Sequence, residues 1–251
     1  MSEAMVTPAE NFARLTSPSL AVLNNALYIV WNNVSDNGTL RYTTWSDPAG
    51  KIANPMDVTA AGLSIRRQTS VALATFKDKL CLFFNGSGTN GTWTTTFSGS
   101  GWTQVNPVTM PLAGSALDYT SPAVGVSDGG RQLTLLWNGS ANDGIWYTNT
   151  MDGTTWAPQM SISQMIGGQT VLYKSSPSIA SYRGIPYVLW KPADNGWAAF
   201  VATFMAPNTA LTPPAVISIF AVATLAVNAG FDVSVDVSEG TFSFRQPPPS
   251  A

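Results

Sequence analysis

Hydrophobic and polar positions change along this chain in short runs, and the runs recur in a fixed order. "SPSLAVLNNALYIVWNNVSDNGTLRYTTW", from Ser17 to Trp45, opens with an alternating stretch and a short turn. The apolar run "LYIVW" comes next, then a polar loop ending in Asn37-Gly38, then "LRYTT". "SPSIASYRGIPYVLWKPADNGWAAF", from Ser176 to Phe200, repeats that order. Aligned on Ser-Pro, the two copies also share Tyr28 with Tyr187, Trp31 with Trp190, and Asn37-Gly38 with Asn195-Gly196. Alternation of period two marks half-buried strands, and short unbroken apolar runs mark fully buried ones. Asn-Gly and Asp-Gly are favoured hairpin turns because both residues tolerate positive φ. A fourth run closes each unit: "NPMDVT", "NPVTMP", "APQMSIS" or "TPPAVIS". No helical period competes over a useful length.

Further copies begin at Thr69, at Ser121 and, more weakly, at Val222. Their spacing of about 46 to 55 residues is that of propeller blades. The pattern predicts an all-β chain folded as one five-bladed β-propeller of four-stranded antiparallel blades. The blades are expected at 17–62, 69–113, 120–166, 175–219, and 220–246 together with 5–15, with 247–251 a flexible tail. The fifth copy holds three strands, and the N-terminal "VTPAENFARL" resembles "TPPAVISIF". The N-terminal strand is therefore expected to complete the last blade and close the ring, which removes open sheet edges. A small residue recurs in the first strand at Ala21, Ala74, Gly125, Ala180 and Ala226, where crowding near the axis would require it. Its neighbours Leu20, Leu73, Val124, Ile179 and Leu225 would pack between blades.

Composition narrows the partners. Charged residues make up 10% of the 251 residues, against ~25% in an average globular protein, and the net charge is −2. No basic run exists, so nucleic acid is not an expected partner. There is no His, which removes the usual zinc ligand and the Ser-His and Cys-His catalytic pairs. Neither a metal nor a cofactor is implied. The single Cys81 lies in the apolar run "KLCLFF" and reads as a buried strand thiol. The N-terminus shows neither a basic region nor an apolar core of a signal peptide. A cytoplasmic location, or export without a classical signal, is the expectation. The most apolar stretch, "AVISIFAVATLAVNAG", is short for a membrane span, so no membrane insertion is expected. Asn-x-Ser/Thr occurs at Asn33, Asn37, Asn85, Asn90 and Asn138, a crowding that suits a protein never exposed to a glycosylation machinery.

"SPSLAVLNNALYIVW", "MDGTTWAPQ" and "SPSIASYRGIPYVLW" resemble the repeats of sialidase-like and lectin-like β-propellers. "TMDGTTW", from Thr150 to Trp156, is similar to a shortened Asp-box, lacking one residue between Asp and Gly. In that family the box is a structural turn, so the resemblance implies fold and not activity. Five-bladed lectins of the tachylectin type are the nearest architecture. Their sugar-binding signature is absent, and only the idea of repeated glycan sites carries over.

Within a propeller, the loop leading into the innermost strand and the loop joining strands two and three share one face. The first set of loops offers Arg14, Arg66, Arg67, Gln68, Asp118, Tyr119, Tyr173 and Lys174. The second offers Asn32, Asp36, Asn85, Asn138, Asp143, Lys191 and Asp194 beside Trp31, Phe84, Trp137 and Trp190. Aromatic faces next to planar donors and acceptors suit a sugar, whose C–H face stacks while its hydroxyls hydrogen-bond. The same aromatics, one per blade, could equally be inter-blade packing. Trp93, Trp146 and Trp197 follow the hairpin glycines, where cross-strand packing is the expected role and an exposed platform the alternative. The pairs Thr16-Ser17, Thr69-Ser70 and Thr120-Ser121 are expected to satisfy backbone groups at strand starts.

A glycosidase needs two placed carboxylates. This chain has three Glu (Glu3, Glu10 and Glu239), and most Asp sit in turns. Asp232, Asp236 and Glu239 form the one carboxylate cluster; a metal or catalytic site is one reading, and an exposed alternating strand "FDVSVDVS" is the expected one. The favoured reading is a non-enzymatic, multivalent carbohydrate-binding protein acting on glycans or glycoconjugates, possible cell-surface ones included. A protein-binding scaffold or toxin component, and a glycosidase-like enzyme, are the alternatives.

Overall fold

The computed structural model describes residues 16–33, 39–46, 51–66, 68–87, 91–108, 116, 120–139, 144–162, 175–182, 185–191, 199–203, 219–222, 232–236 and 241–245. Side chains are described between residues 16 and 191. Regular structure among these residues is strand, apart from one 3-10 turn at Asp128–Gly130 and a helical residue at Ile162. The first sheet comprises β1 (Ser19–Leu23), β2 (Ala26–Asn32), β3 (Leu40–Ser46), β4 (Lys51–Ile52) and β5 (Met56–Asp57), in the order β1-β2-β3, with β4 and β5 both on β3. Three four-stranded sheets follow in simple sequential order. The second holds β6 (Ala72–Phe76), β7 (Lys79–Asn85), β8 (Thr92–Phe97) and β9 (Asn106–Pro107). The third holds β10 (Ala123–Ser127), β11 (Gln132–Asn138), β12 (Ile145–Thr150) and β13 (Met160–Ser161). The fourth holds β14 (Ser178–Tyr182), β15 (Ile185–Trp190), β16 (Ala199–Thr203) and β17 (Ile219–Val222). β18 (Asp232–Asp236) and β19 (Thr241–Arg245) form a separate hairpin.

In the first three sheets, each first hairpin turns through left-handed backbone. Asn24 and Asn25 take φ of 50° and 60°, and Lys77 and Asp78 take 49° and 58°. Two successive left-handed residues make the turn whose twist matches the strands. The Lys77 ammonium lies 5.7 Å over the Phe76 ring, which compensates an unfavourable residue type there. The outer strands are held by a repeated threonine. Thr43, Thr95 and Thr148 are buried on the third strands and donate to the carbonyls of Ala53, Thr103 and Ala157 at 2.6, 2.7 and 2.6 Å. This explains the threonine-rich third runs.

Three cores lie between successive sheets. Leu23, Val30, Leu40 and Tyr42 of the first sheet pack with Leu73, Leu80, Leu82 and Phe84 of the second. Ala72, Cys81 and Phe83 pack with Leu133, Leu135 and Trp137 of the third. Leu136, Ile145 and Tyr147 pack with Val188 and Trp190 of the fourth. The central strands are apolar on both sides because both sides are covered. β7 and β11 bury every residue except Lys79. Burial pushes the Cys81 thiol up to about 11 against the opposing charge of Lys79, so at neutral pH it is an inert apolar group.

The recurring small residue works differently from the expectation of axial crowding. Ala21 and Ala74 sit in the seams toward the next sheet, which hold Leu73 and Val124. A Cβ built on Gly125 would lie 2.9 Å from Ile179 Cγ1 of the fourth sheet. Small residues therefore make room for the large residue of the next inner strand, while Leu73, Val124 and Ile179 line the space the inner strands share. Leu20 follows another pattern and is 53% exposed. The fourth strand of the fourth sheet is Ile219–Val222, and the "TPPAVIS" run before it lies outside the described residues. The N-terminal strand expected at 5–15 lies outside the described residues, as do Leu225 and Ala226.

Gly125→Val should cost about 1–3 kcal/mol through overpacking against Ile179. Ile179→Ala in the same chain should recover part of that loss. Urea denaturation of the two variants checks this, and equal losses in both would contradict the close approach.

Candidate functional site

The segments leading into the inner strands fold onto the loops between second and third strands. Ile65 pairs with Gly86 and Ala116 with Gly139 across isolated antiparallel bridges. Arg66 N–H donates to the Asn85 carbonyl at 2.8 Å, and Ser87 N–H to the Ser64 carbonyl at 3.0 Å. The Ser64 and Ser87 hydroxyls also hydrogen-bond each other. The two loop sets therefore share one face in two successive sheets. Neighbouring sheets are tied together there as well. The Arg66 guanidinium donates to the Ala116 carbonyl at 3.4 Å.

A stair of serines runs along the inner strand starts. The N–H of Ser17 donates to Ser70 Oγ at 2.7 Å, that of Ser70 to Ser121 Oγ at 2.7 Å, and that of Ser121 to Ser176 Oγ at 2.8 Å. Pro18, Pro122 and Pro177 follow three of these serines and hold them extended. Leu73 N–H donates to Ser19 Oγ at 3.0 Å, and the Thr75 and Ser181 hydroxyls donate to the Val22 and Val126 carbonyls of the preceding sheets. The inner strands surround a cavity of about 200 Å³ lined by Ser19, Leu73, Pro122, Val124, Pro177 and Ile179, among others.

The expected site residues divide into three groups. Trp31, Trp137 and Trp190 are 1%, 1% and 2% exposed, and Phe84 is equally buried. Protein covers these rings, so in this arrangement they pack sheets and offer no stacking platform. Asn32, Asn85 and Asn138 are buried too. The Asn85 amide donates to the Thr120 carbonyl at 2.8 Å and accepts from Thr92 at 3.2 Å. The Asn138 amide donates to the Ser175 carbonyl at 3.1 Å. Both amides fix the next inner strand, which leaves them unsuited as free sugar ligands. Gln68 and Lys191 form the second group and are exposed. Gln68 has φ of 57°. Asp36, Arg67, Asp118, Tyr119, Asp143, Tyr173, Lys174 and Asp194 lie outside the described residues, together with Arg14 and Glu239.

Trp93 and Trp146 stand opposite Phe84 and Trp137 across the second hairpins and are half-buried against the seams. Two other tryptophans act as wedges that the repeat did not single out. Trp102 meets Tyr42 of the first sheet edge-on at 5.7 Å, and Trp156 meets Phe83 of the second at 5.8 Å. Each stands in the outer loop of one sheet and reaches the preceding one. Trp156 ends the "TMDGTTW" turn. There Asp152 Oδ1 accepts from the N–H groups of Thr154 and Thr155, both at 2.7 Å, and from the Thr150 hydroxyl at 2.9 Å. Gly153 supplies the left-handed residue, with φ of 85°. Arg41 and Asp57 form an ion pair at 3.2 Å on the first sheet. No group of three metal-ligating side chains occurs among the described residues, and no helix among them is long and apolar enough to cross a membrane.

No protein-family profile matches the chain, and no curated protein sequence matches it. Solved structures do. A variant of AofleA from Arthrobotrys oligospora superposes with a TM-score of 0.62 at 14% identity, over 85% of this chain and 58% of that one. The six-bladed β-propeller lectin from Aleuria aurantia superposes with a TM-score of 0.60 at 11% identity, over 85% and 64%. The fold is β-propeller-like. The chain spans 58% and 64% of the length of those two fungal proteins. A more distant propeller, the GH43_1 enzyme from Xanthomonas citri, gives 0.51 at 15% identity over 81% and 72%. Among the expected loop residues that are described, Gln68 and Lys191 are the exposed ones.

Hydrogen bonds from the Thr155 and Thr154 backbone hold the Asp152 carboxyl well below its ordinary 3.8. A carboxyl depressed in the folded state stabilises above its unfolded pKa and loses that contribution as pH falls through the folded value. Asp152→Ala should thus be less stable than wild type at neutral pH, with the gap closing only below the ordinary carboxylate range. Urea midpoints between neutral pH and about pH 2 measure it, and a gap independent of pH would contradict the turn's role.

Proposed function

We propose that this chain is a multivalent carbohydrate-binding protein whose sites lie on the loop face and recur around the propeller. The observation that carries the reading is the joining of inner-strand loops to strand-two-to-three loops on one face, seen at Ile65 with Gly86 and at Ala116 with Gly139. The ligand set is the variable loop residues Arg67, Gln68, Asp118, Tyr119, Tyr173, Lys174 and Lys191, with Asp36, Asp143 and Asp194 beside them. Gln68 supports it, because an exposed non-glycine residue in the left-handed region costs about 1 kcal/mol or more and persists where the loop shape matters. The buried Trp and Asn residues serve the sites indirectly, by fixing the strand ends from which these loops leave. The ring has five units, with residues 5–15 completing the last. The Aleuria aurantia lectin is described by its fucose recognition, which makes fucose the first sugar to test.

Each site should be weak, with Kd of about 0.1–1 mM, since a small exposed sugar buries little surface. Presentation at several sites should gain roughly 10²-fold through avidity where the spacing fits. A glycan array read with multivalent protein, beginning with fucosylated glycans, tests this. Arg67→Ala, Tyr119→Ala and Lys174→Ala should each weaken the signal without unfolding the chain. Asn138→Ala should instead lower stability by about 1–3 kcal/mol and leave the glycan profile unchanged. An array with no signal from folded protein would replace this reading with that of a protein-binding scaffold. Turnover of aryl glycosides, abolished by Asp232→Asn or Asp236→Asn, would replace it with an enzyme.

A further inference from the structure

Each inner strand has a ladder partner on one side alone, since β1, β6, β10 and β14 begin their sheets. Alternate residues along the other edge still direct an N–H and a C=O toward the neighbouring inner strands. Small polar side chains meet part of this need. Leu73 N–H donates to Ser19 Oγ of the sheet before it at 3.0 Å. The Val22 carbonyl accepts from the Thr75 hydroxyl of the next sheet, and the Val126 carbonyl from the Ser181 hydroxyl.

Register carries the Leu73 position into the later sheets. Leu73 pairs with Leu82, Val124 with Leu135 and Ile179 with Val188, at the same place in each first hairpin. Val124 and Val126 are alternate residues of one strand, so the Val124 N–H points to the side that the Val126 carbonyl does. In the preceding sheet, the residue that stands where Ser19 stands for Leu73 is Ala72 for Val124 and Ala123 for Ile179. Alanine carries no acceptor, so neither N–H finds the oxygen that Ser19 gives Leu73. Val124 and Ile179 are half-buried, and with Ala72, Ala123, Pro122 and Pro177 they line the axial cavity of about 200 Å³.

That cavity therefore combines apolar walls with two backbone donors. An apolar cavity of about 150 Å³ holds benzene, so there is room here for a substituted ring. No cationic side chain stands among the described residues of the wall, so a carboxylate would lose water without gaining a counter-charge. Sugar hydroxyls would be stripped of water by the same walls without replacement. We propose that the axial cavity binds a small uncharged molecule with an apolar body and a carbonyl oxygen, which accepts from the Val124 and Ile179 N–H groups. A carbonyl oxygen has two lone pairs and no proton to place, which matches two donors. The site lies on the axis, apart from the loop residues assigned to sugar, and stands or falls independently of glycan binding.

Acetophenone is the probe, and α-methylstyrene, which puts a methylene where acetophenone has its oxygen, is the control. Amide NMR of the full chain should show acetophenone shifting the Val124 and Ile179 N–H signals downfield. In Ala72→Ser/Ala123→Ser the new hydroxyls take both donors as Ser19 does, and the affinity ratio of acetophenone to α-methylstyrene should fall about 10-fold. Hydrogen exchange of the wild type without any probe gives a second reading that needs no variant. The Val124 and Ile179 amides should exchange about 10-fold faster than that of Leu73. Acetophenone that moves neither amide, an affinity ratio unchanged by the two serines, or protection of both amides equal to that of Leu73 would each overturn the proposal.

Discussion

The hydrogen bond from each inner-strand serine N–H to the serine hydroxyl of the next sheet fixes how the sheets follow one another. Three such bonds, at 2.7, 2.7 and 2.8 Å, step from Ser17 through Ser70 and Ser121 to Ser176. A strand start is a place where a backbone N–H has no ladder partner, and a buried or half-buried one must find an acceptor. Here the acceptor comes from the neighbouring sheet. One local need is thereby turned into a geometric rule between repeats, and the packing follows from it. Once the strand starts are in line, the small residue of one inner strand falls opposite the large residue of the next, as Gly125 does with Ile179. The outer wedges Trp102 and Trp156 close the same seams from the far side.

The loop face inherits its form from these seams. Asn85 and Asn138 reach across to carbonyls at Thr120 and Ser175, and their burial leaves those bonds unscreened by water. The loops leave a rigid rim as a result, and rigid rims with variable loops are where binding residues concentrate. On the first sheet the face turned away from these seams leaves Leu20, Val22 and Trp45 exposed.

Much of this architecture is legible in the residues. The period of the apolar runs gives the strands, and Asn-Gly and Asp-Gly separate them. The Thr-Ser pairs read correctly as groups that satisfy strand starts. The pattern could not tell which neighbour a side chain faces. Trp31, Trp137 and Trp190 look alike as platforms or as packing, because duplication copies both kinds of residue. Asn85 and Asn138 sit in polar loops, and only the distance to the next sheet reveals them as internal ties. The small residue at Ala21, Ala74 and Gly125 was plain in the alignment, whereas its partner lies one repeat away and cannot be read from local order. Trp102 escaped notice because it stands in an outer loop where the copies do not align, and Trp156 read only as the end of the "TMDGTTW" turn.

Amide hydrogen exchange of the inner-strand serines in the folded chain reports on the seam itself. The N–H groups of Ser17, Ser70 and Ser121 should be protected in the wild type. In Ser121→Ala the Ser70 amide alone should exchange faster, by about 10-fold, as expected for one lost hydrogen bond of this class. Unprotected serine amides in the wild type, or a Ser70 amide unmoved by Ser121→Ala, would contradict the account.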